Sequence, residues 1–167
     1  TRPRSDAIPL PEGLVNERLC SLKNGAQVCI DYAHTGASFR AVLSTMRPWT
    51  DHLIVVFGAG GGKDTLKRPM MGRVASEIAD CIIITDDNPR NEDPKIIVDQ
   101  IMSGIKKEDF YKVSVEHDRE KAIQKACALA GKTSIIMLLG KGPDTIQIIK
   151  NERLYFNEKD ILKPWLL

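Results

Sequence analysis

The sequence predicts an α/β fold built on a doubly wound, mostly parallel sheet of about six strands, and three observations carry that prediction. Leu53 to Phe57, Cys81 to Ile84 and Ser134 to Leu139 are short apolar runs without polar alternation, the pattern of strands covered on both faces. Segments of helical period lie between them, which implies right-handed βαβ units. Glycine and charged clusters directly follow the strands, whereas the opposite connections (Pro48 to His52, Lys106 to Phe110 and Gly131-Lys132) carry none comparable.

Taken in order, Thr1 to Glu12 holds three prolines and almost no apolar periodicity, so residues 1 to 14 are expected to be a linker remnant of a longer protein and 15 to 167 one domain. Arg18 to Leu22 and Gln27 to Ile30 flank Lys23-Asn24-Gly25, and Asn-Gly predicts a hairpin. Thr35 caps a helix with Phe39, Val42, Leu43 and Met46 inward, which leads to the Leu53 strand and then Gly58-Ala59-Gly60-Gly61-Gly62. Pro69 suits a first helical turn whose inward face is Met71, Val74, Ala75 and Ile78. After the Cys81 strand, Asp93-Pro94 starts a helix with Ile97, Val98, Ile101, Met102 and Ile105 inward. Tyr111 to Val115 reads as a weaker strand, and Asp118 caps a helix through Ile123, Ala126, Cys127 and Ala130 that Gly131 stops. Beyond the Ser134 strand, Pro143 is expected to start a short helix, Leu154 to Phe156 to form an edge strand and Glu158 to Leu162 a last helix. The architecture is Rossmann-like.

Composition limits function. The 167 residues suffice for a real core, and 24 basic against 22 acidic residues leave a net charge of only +2. That balance argues against a general nucleic-acid or membrane-surface binder. No apolar run approaches a membrane span and no signal peptide opens the chain, so a cytoplasmic protein is expected. Cys20, Cys29, Cys81 and Cys127 lie far apart without a CxxC pair or a histidine at ligand spacing, so they read as reduced core residues rather than a zinc site or disulfide framework.

The chemistry belongs on the carboxyl edge of the sheet, where ligands bind in such folds. Thr85-Asp86-Asp87-Asn88-Pro89-Arg90 is the richest segment there: two carboxylates, an amide and a guanidinium can converge on a small molecule, and Pro89 stiffens the presentation of Arg90. Taken alone, it equally fits a loop whose Asp and Asn form turns and whose Arg is solvated. The glycine run is neither a P-loop, since Phe57 stands where the first glycine belongs, nor a dinucleotide fingerprint, since Lys63 stands where the third belongs. It can still present backbone N–H groups to an anion. A nicotinamide oxidoreductase is therefore disfavoured, while a binding module acting alone remains an alternative.

The motifs combine in order. Asp31-Tyr32-Ala33-His34-Thr35, Val56-Phe57-Gly58-Ala59-Gly60-Gly61, Lys67-Arg68-Pro69-Met70-Met71-Gly72, Asp86-Asp87-Asn88-Pro89-Arg90 with Glu92-Asp93-Pro94, Asp118-Arg119 with Ala122-Ile123, and Gly140-Lys141-Gly142 resemble the C-terminal domain of the Mur ligases, from about Val15 to Phe156. Within the family the pattern is most similar to the members that add meso-diaminopimelate to UDP-N-acetylmuramoyl-alanyl-glutamate (the UDP-MurNAc-dipeptide) in peptidoglycan synthesis. The resemblance implies an ATP-dependent amide-bond ligase of three domains, of which this chain is similar to the third. The P-loop, the Mg²⁺ ions and the UDP-sugar site belong to the other two, so this domain alone is expected to be inactive and to hold neither catalytic residues nor metal.

The resemblance also implies site residues. Arg18, Asp31, Tyr32 and His34 match the nucleotide-facing set, with Asp31 suited to ribose hydroxyls and Arg18 to phosphate. Lys63, Asp87, Asn88, Pro89, Arg90, Gly140 and Asp144 match the amino-acid site. Arg90 suits the distal carboxylate of diaminopimelate bidentately, and lysine-adding relatives, the nearer alternative, do not carry arginine there. Three departures stand out: Gly62-Lys63-Asp64 replaces the family's Asp-Arg-Asp, Gly140-Lys141-Gly142-Pro143-Asp144 its Gly-Lys-Gly-His-Glu, and Gly36 follows Ala33-His34-Thr35 in place of proline. Lys63 keeps the positive charge but not the guanidinium fork, and Asp144 is one methylene shorter than Glu.

Overall fold

A computed structural model describes residues 19–167. The expected linker, the domain boundary after residue 14 and Arg18 lie outside the described residues. Six strands form one sheet: β1 (Leu19–Ser21), β2 (Gln27–Asp31), β3 (His52–Phe57), β4 (Cys81–Ile84), β5 (Val113–Val115) and β6 (Ser134–Leu139), in the spatial order β1-β2-β6-β3-β4-β5. Only β1 runs antiparallel, paired with β2 through the Asn24-Gly25 turn, and every other pairing is parallel. The carboxyl ends of β2 to β6 therefore share one edge, as the placement of the polar clusters predicts. Because β6 returns to lie between β2 and β3, the strand order reverses there, and that switch point opens a crevice at the edge.

Alternate residues of the buried strands feed two cores. Leu53, Val55 and Phe57 meet α1 (Gly36–Met46), α2 (Lys67–Ile78) and α3 (Pro94–Met102) through Phe39, Leu43, Met71, Val74, Ile97 and Ile101. Ile54 and Val56 face the other way, against Ala122, Ile123 and Cys127 of α4 (Arg119–Leu129) and Leu162 of α5 (Glu158–Leu162). This double covering is why the strands carry no polar alternation. Each fully buried Val, Leu, Ile or Phe contributes about 1.5 to 3 kcal/mol. The expected caps are present: Thr35 and Ser38 form a reciprocal capping box, and the carboxylates of Asp93 and Asp118 accept from Lys95 N and Lys121 N. None of the four cysteines forms a disulfide, and burial pushes Cys127 up to about 11, which keeps it protonated and inert.

Two elements differ from the sequence reading. Tyr111 and Lys112 belong to a 3₁₀ helix, Lys107–Lys112, in which Lys112 Nζ donates to Ser76 O at 3.0 Å, and β5 is left with three residues paired to Ile82, Ile83 and Ile84. Pro143 starts no helix; the chain turns and enters β7 (Ile146–Ile149), which pairs antiparallel with β8 (Glu152–Tyr155) in a separate hairpin. Lys141 Nζ donates to the carbonyl oxygen of Ile146 and Asn88 Oδ1 accepts from the N–H of Ile148, so tertiary partners hold this segment extended. Gly131 follows α4 without a left-handed backbone; the helix already ends at Ala130, whose backbone is extended.

Candidate functional site

A cavity of about 480 Å³ opens at the carboxyl edge between the ends of β2, β3, β4 and β6, and the β7–β8 hairpin forms its far wall. Tyr32, His34, Lys63, Asp87, Asn88, Arg90, Gly140 and Asp144, eight of the site residues expected from sequence, line it together. Asp31 and Pro89 do not. Asp31 Oδ1 accepts from Ala33 N at 2.8 Å and lines an adjoining apolar groove that shares Tyr32 and His34. Pro89 is buried, and its carbonyl oxygen accepts from Glu92 N to close the turn beneath Arg90. Asp86, grouped with the convergent carboxylates in the sequence reading, instead meets His117 Nδ1 at 2.7 Å beyond β5; burial raises its carboxyl and the histidine partly offsets that.

The floor is built from Asp87, Asn88 and Lys141. Lys141 is fully buried, donates to Asn88 Oδ1 at 3.1 Å and lies 3.4 Å from Asp87 Oδ1, with the Phe156 ring 5.7 Å away. Burial lowers its pKa and the Asp87 charge opposes that shift. Asn88 Oδ1 is thus committed to Lys141 and to Ile148 N, so this residue sets the position of the hairpin. Beneath the floor, Arg119 Nη2 bonds the carbonyl of Leu139 and Glu158 Oε1 in a pair with no exposure to speak of, which ties α4 and α5 to the end of β6. Burial raises the Glu158 carboxyl, against the pull of Arg119.

One wall is the glycine loop. Arg68, fully buried, grips Glu92 with both terminal nitrogens at 3.1 and 2.7 Å and also reaches Gly60 O and Gln100 Oε1. Glu92 in turn accepts from Gly62 N, and the Arg68 hydrogen bonds, with that N–H, hold its carboxyl below the ordinary value. Gly61 N donates to Asn88 O at 2.8 Å, in an approach so close that a side chain on Gly61 would strike the Pro89 carbonyl.

Arg90 occupies a left-handed backbone at φ 53°. Its N–H donates to Ile148 O and its carbonyl accepts from Lys150 N, so it pairs with the hairpin like a strand residue. Nη1 donates to Gly61 O at 2.9 Å and Asn88 O at 3.5 Å, and no other side-chain nitrogen of Arg90 is bonded among the described residues. The arrangement fixes one corner of the guanidinium and leaves the Nε–Nη2 edge for a planar anion. Across the cavity, the Tyr32 ring meets His34 edge-on at 5.2 Å and is half exposed, which suits it to stacking.

Lys67, Thr145, Ile146, Ile148 and Arg153 also line the cavity and went unassigned in the sequence reading. Lys67 lies in a quoted motif. The other four depend on the hairpin, for which Ile146-Gln147-Ile148 and the Lys150-Asn151 turn were the available signal. Among the described residues no three His, Cys, Asp or Glu side chains cluster as a metal site, and no helix is long and apolar enough to cross a membrane.

Relatives carry the same chain pattern. Residues 17–142 match the family described as Mur ligase, glutamate ligase domain. The UDP-N-acetylmuramoyl-L-alanyl-D-glutamate–2,6-diaminopimelate ligase of Caldanaerobacter subterraneus subsp. tengcongensis is 46% identical over 140 residues, 83% of this chain and 29% of the relative. The enzyme of the same name from Clostridium botulinum is 40% identical over 140 residues, 83% of this chain and 28% of its own. A solved structure of such a ligase superposes with a TM-score of 0.82 at 32% identity, covering 90% of this chain and 31% of that one. The chain thus spans under a third of the length of these relatives. With the family match extending over three quarters of the chain and carrying the strands, the glycine loop and the Asp86 to Arg90 crest, the chain belongs to the Mur ligase family as its glutamate ligase domain.

Proposed function

We propose that this chain is the third domain of an ATP-dependent ligase that adds meso-diaminopimelate to the UDP-MurNAc-dipeptide in peptidoglycan synthesis, in the cytoplasm, with residues 1 to 14 leading from the rest of the enzyme. The observation that carries the reading is the Arg90 guanidinium, which lines the cavity and is held at Nη1 while its other nitrogens bond nothing among the described residues. Diaminopimelate has a zwitterionic end remote from its reacting amine; the free edge of Arg90 fits that carboxylate bidentately. Asp144, in the same cavity, suits the distal ammonium, and Lys63 supplies a second cation. Asp87 acts chiefly through its pair with Lys141, which holds the floor.

The Mur ligase family uses ATP with Mg²⁺ or Mn²⁺. ATP supplies the phosphoryl group that activates the peptide carboxylate; the amine then attacks that carbonyl carbon, phosphate leaves and a proton is lost from nitrogen. For this chain, the half-exposed Tyr32 beside His34 fits a base, Asp31 steadies the turn that presents them, and Arg18 is assigned to phosphate. What this domain contributes is positioning of the amine and exclusion of water.

Amino-acid-dependent phosphate release by the intact enzyme that carries this domain tests the reading, with ATP and the UDP-MurNAc-dipeptide present. Release with diaminopimelate well above that with lysine supports it; no release with either would overturn it. The 167-residue chain alone is expected to show no Mg²⁺-dependent ATPase activity.

A further inference from the structure

The cavity holds more positive charge than its assigned amino acid explains. Lys63, Lys67, Arg90 and Arg153 line it, against Asp144 and an Asp87 already faced by the buried ammonium of Lys141 at 3.4 Å. None of the four cations forms an ion pair among the described residues. The backbone of Arg153 is placed by register. Its partner across the hairpin is Ile148, whose N–H donates to Asn88 Oδ1 at 2.9 Å and whose carbonyl accepts from Arg90 N at 3.1 Å. Arg90, β7 and β8 thus lie side by side, which sets the two arginine backbones about 10 Å apart, two strand spacings. Arg90 enters the cavity from the crest after β4 and Arg153 from β8, so the two cations approach from different walls, an arrangement suited to a ligand with two anionic groups.

We propose that Arg153 is a specificity-determining residue of the cavity, holding from the β8 wall a carboxylate or phosphoryl group other than the one that Arg90 takes. The proposal rests on the reading that this cavity receives the incoming amino acid. Two sources share the chemistry: the second carboxylate of the amino acid, and the phosphoryl group on the partner substrate that must approach the amine. Arg153 is exposed and bonds no other side chain among the described residues, so its replacement leaves the hairpin ladder intact.

Calorimetric titration of the 167-residue chain with meso-diaminopimelate, L-lysine and inorganic phosphate tests this, using wild type, Arg153→Gln, Arg153→Lys and Lys125→Gln, an exposed residue of α4 that does not line the cavity. If the anion is the second carboxylate, Arg153→Gln weakens diaminopimelate by about 10-fold or more, with Arg153→Lys intermediate because it keeps the charge and loses the fork. If it is the phosphoryl group, phosphate binding falls by the same factor and diaminopimelate is untouched. Phosphate binding that needs Arg153, in a chain that does not bind diaminopimelate, would uphold Arg153 while sinking the amino-acid reading. The proposal is overturned if Arg153→Gln stays within about two-fold of Lys125→Gln for both ligands, or if wild type binds neither at millimolar concentration.

Discussion

Lys141 and Asn88, 53 positions apart, meet inside the molecule: the buried ammonium donates to Asn88 Oδ1 at 3.1 Å, and the same oxygen accepts from Ile148 N. The contact joins the ends of β4 and β6 to the hairpin that walls the cavity. Lys141→Met should therefore cost about 3 to 5 kcal/mol in urea unfolding, since it leaves the Asp87 carboxylate facing nothing and the Ile146 carbonyl unbonded. Removing both charges, Lys141→Met with Asp87→Leu, should recover part of the loss. A single variant within about 1 kcal/mol of wild type, or strict additivity in the double, would contradict the role given to this pair.

The approach of the glycine loop to the Pro89 turn makes a second prediction. Gly61→Ala drives a Cβ into the Pro89 carbonyl and should cost about 1 to 3 kcal/mol as well as displacing the loop that anchors Arg90. Gly131→Ala meets no atom within 4 Å, at a backbone angle any residue accepts, and should stay within about 0.5 kcal/mol. Thermal or urea unfolding of the two side by side decides it; equal losses would mean that the loop yields freely.

Much of this was legible in sequence, for identifiable reasons. Doubly buried strands and side-chain caps are local signals, so β3, β4, β6 and the caps Thr35, Asp93 and Asp118 follow from residue type and spacing. The crest after β4 was legible as a segment, but the orientation of each side chain was not: Asp86 and Asp87 are neighbours, yet one meets His117 and the other Lys141. The hairpin is not legible locally, because Pro143 with Asp144 has the look of a helix start and what holds Ile146 to Ile149 extended comes from Lys141 and from Asn88, far off in sequence. Arg153 and Ile148 went unassigned with it.

Acid stability should reveal the Glu92 clamp. The hydrogen bonds from Arg68, then the Gly62 N–H, lower this carboxyl below its ordinary value of 4.5 in the folded chain. Stability from such a group is complete above the unfolded value and is lost as pH falls through the depressed folded value. Glu92→Gln keeps the shape and removes the titration. The gap in urea midpoint between wild type and Glu92→Gln should be full at neutral pH and close as pH falls below 4.5. A gap that does not change with pH would mean that the carboxylate charge contributes nothing.

The central claim is that Arg90 selects the amino acid. Lysine lacks the distal carboxylate, and a site built around a paired guanidinium rejects such an analogue by about 10⁴-fold or more. Arg90→Ala should cost roughly 2 to 5 kcal/mol with diaminopimelate, and turnover with lysine should fall much less or rise. The decisive measurement is kcat/KM for both amino acids, in the intact enzyme that carries this domain, with wild type, Arg90→Ala and Arg90→Lys. Wild type should strongly prefer diaminopimelate and both variants should erode that preference. If wild type prefers lysine, or if the variants lose both activities equally, Arg90 does not read the substrate and the cavity is not built for diaminopimelate.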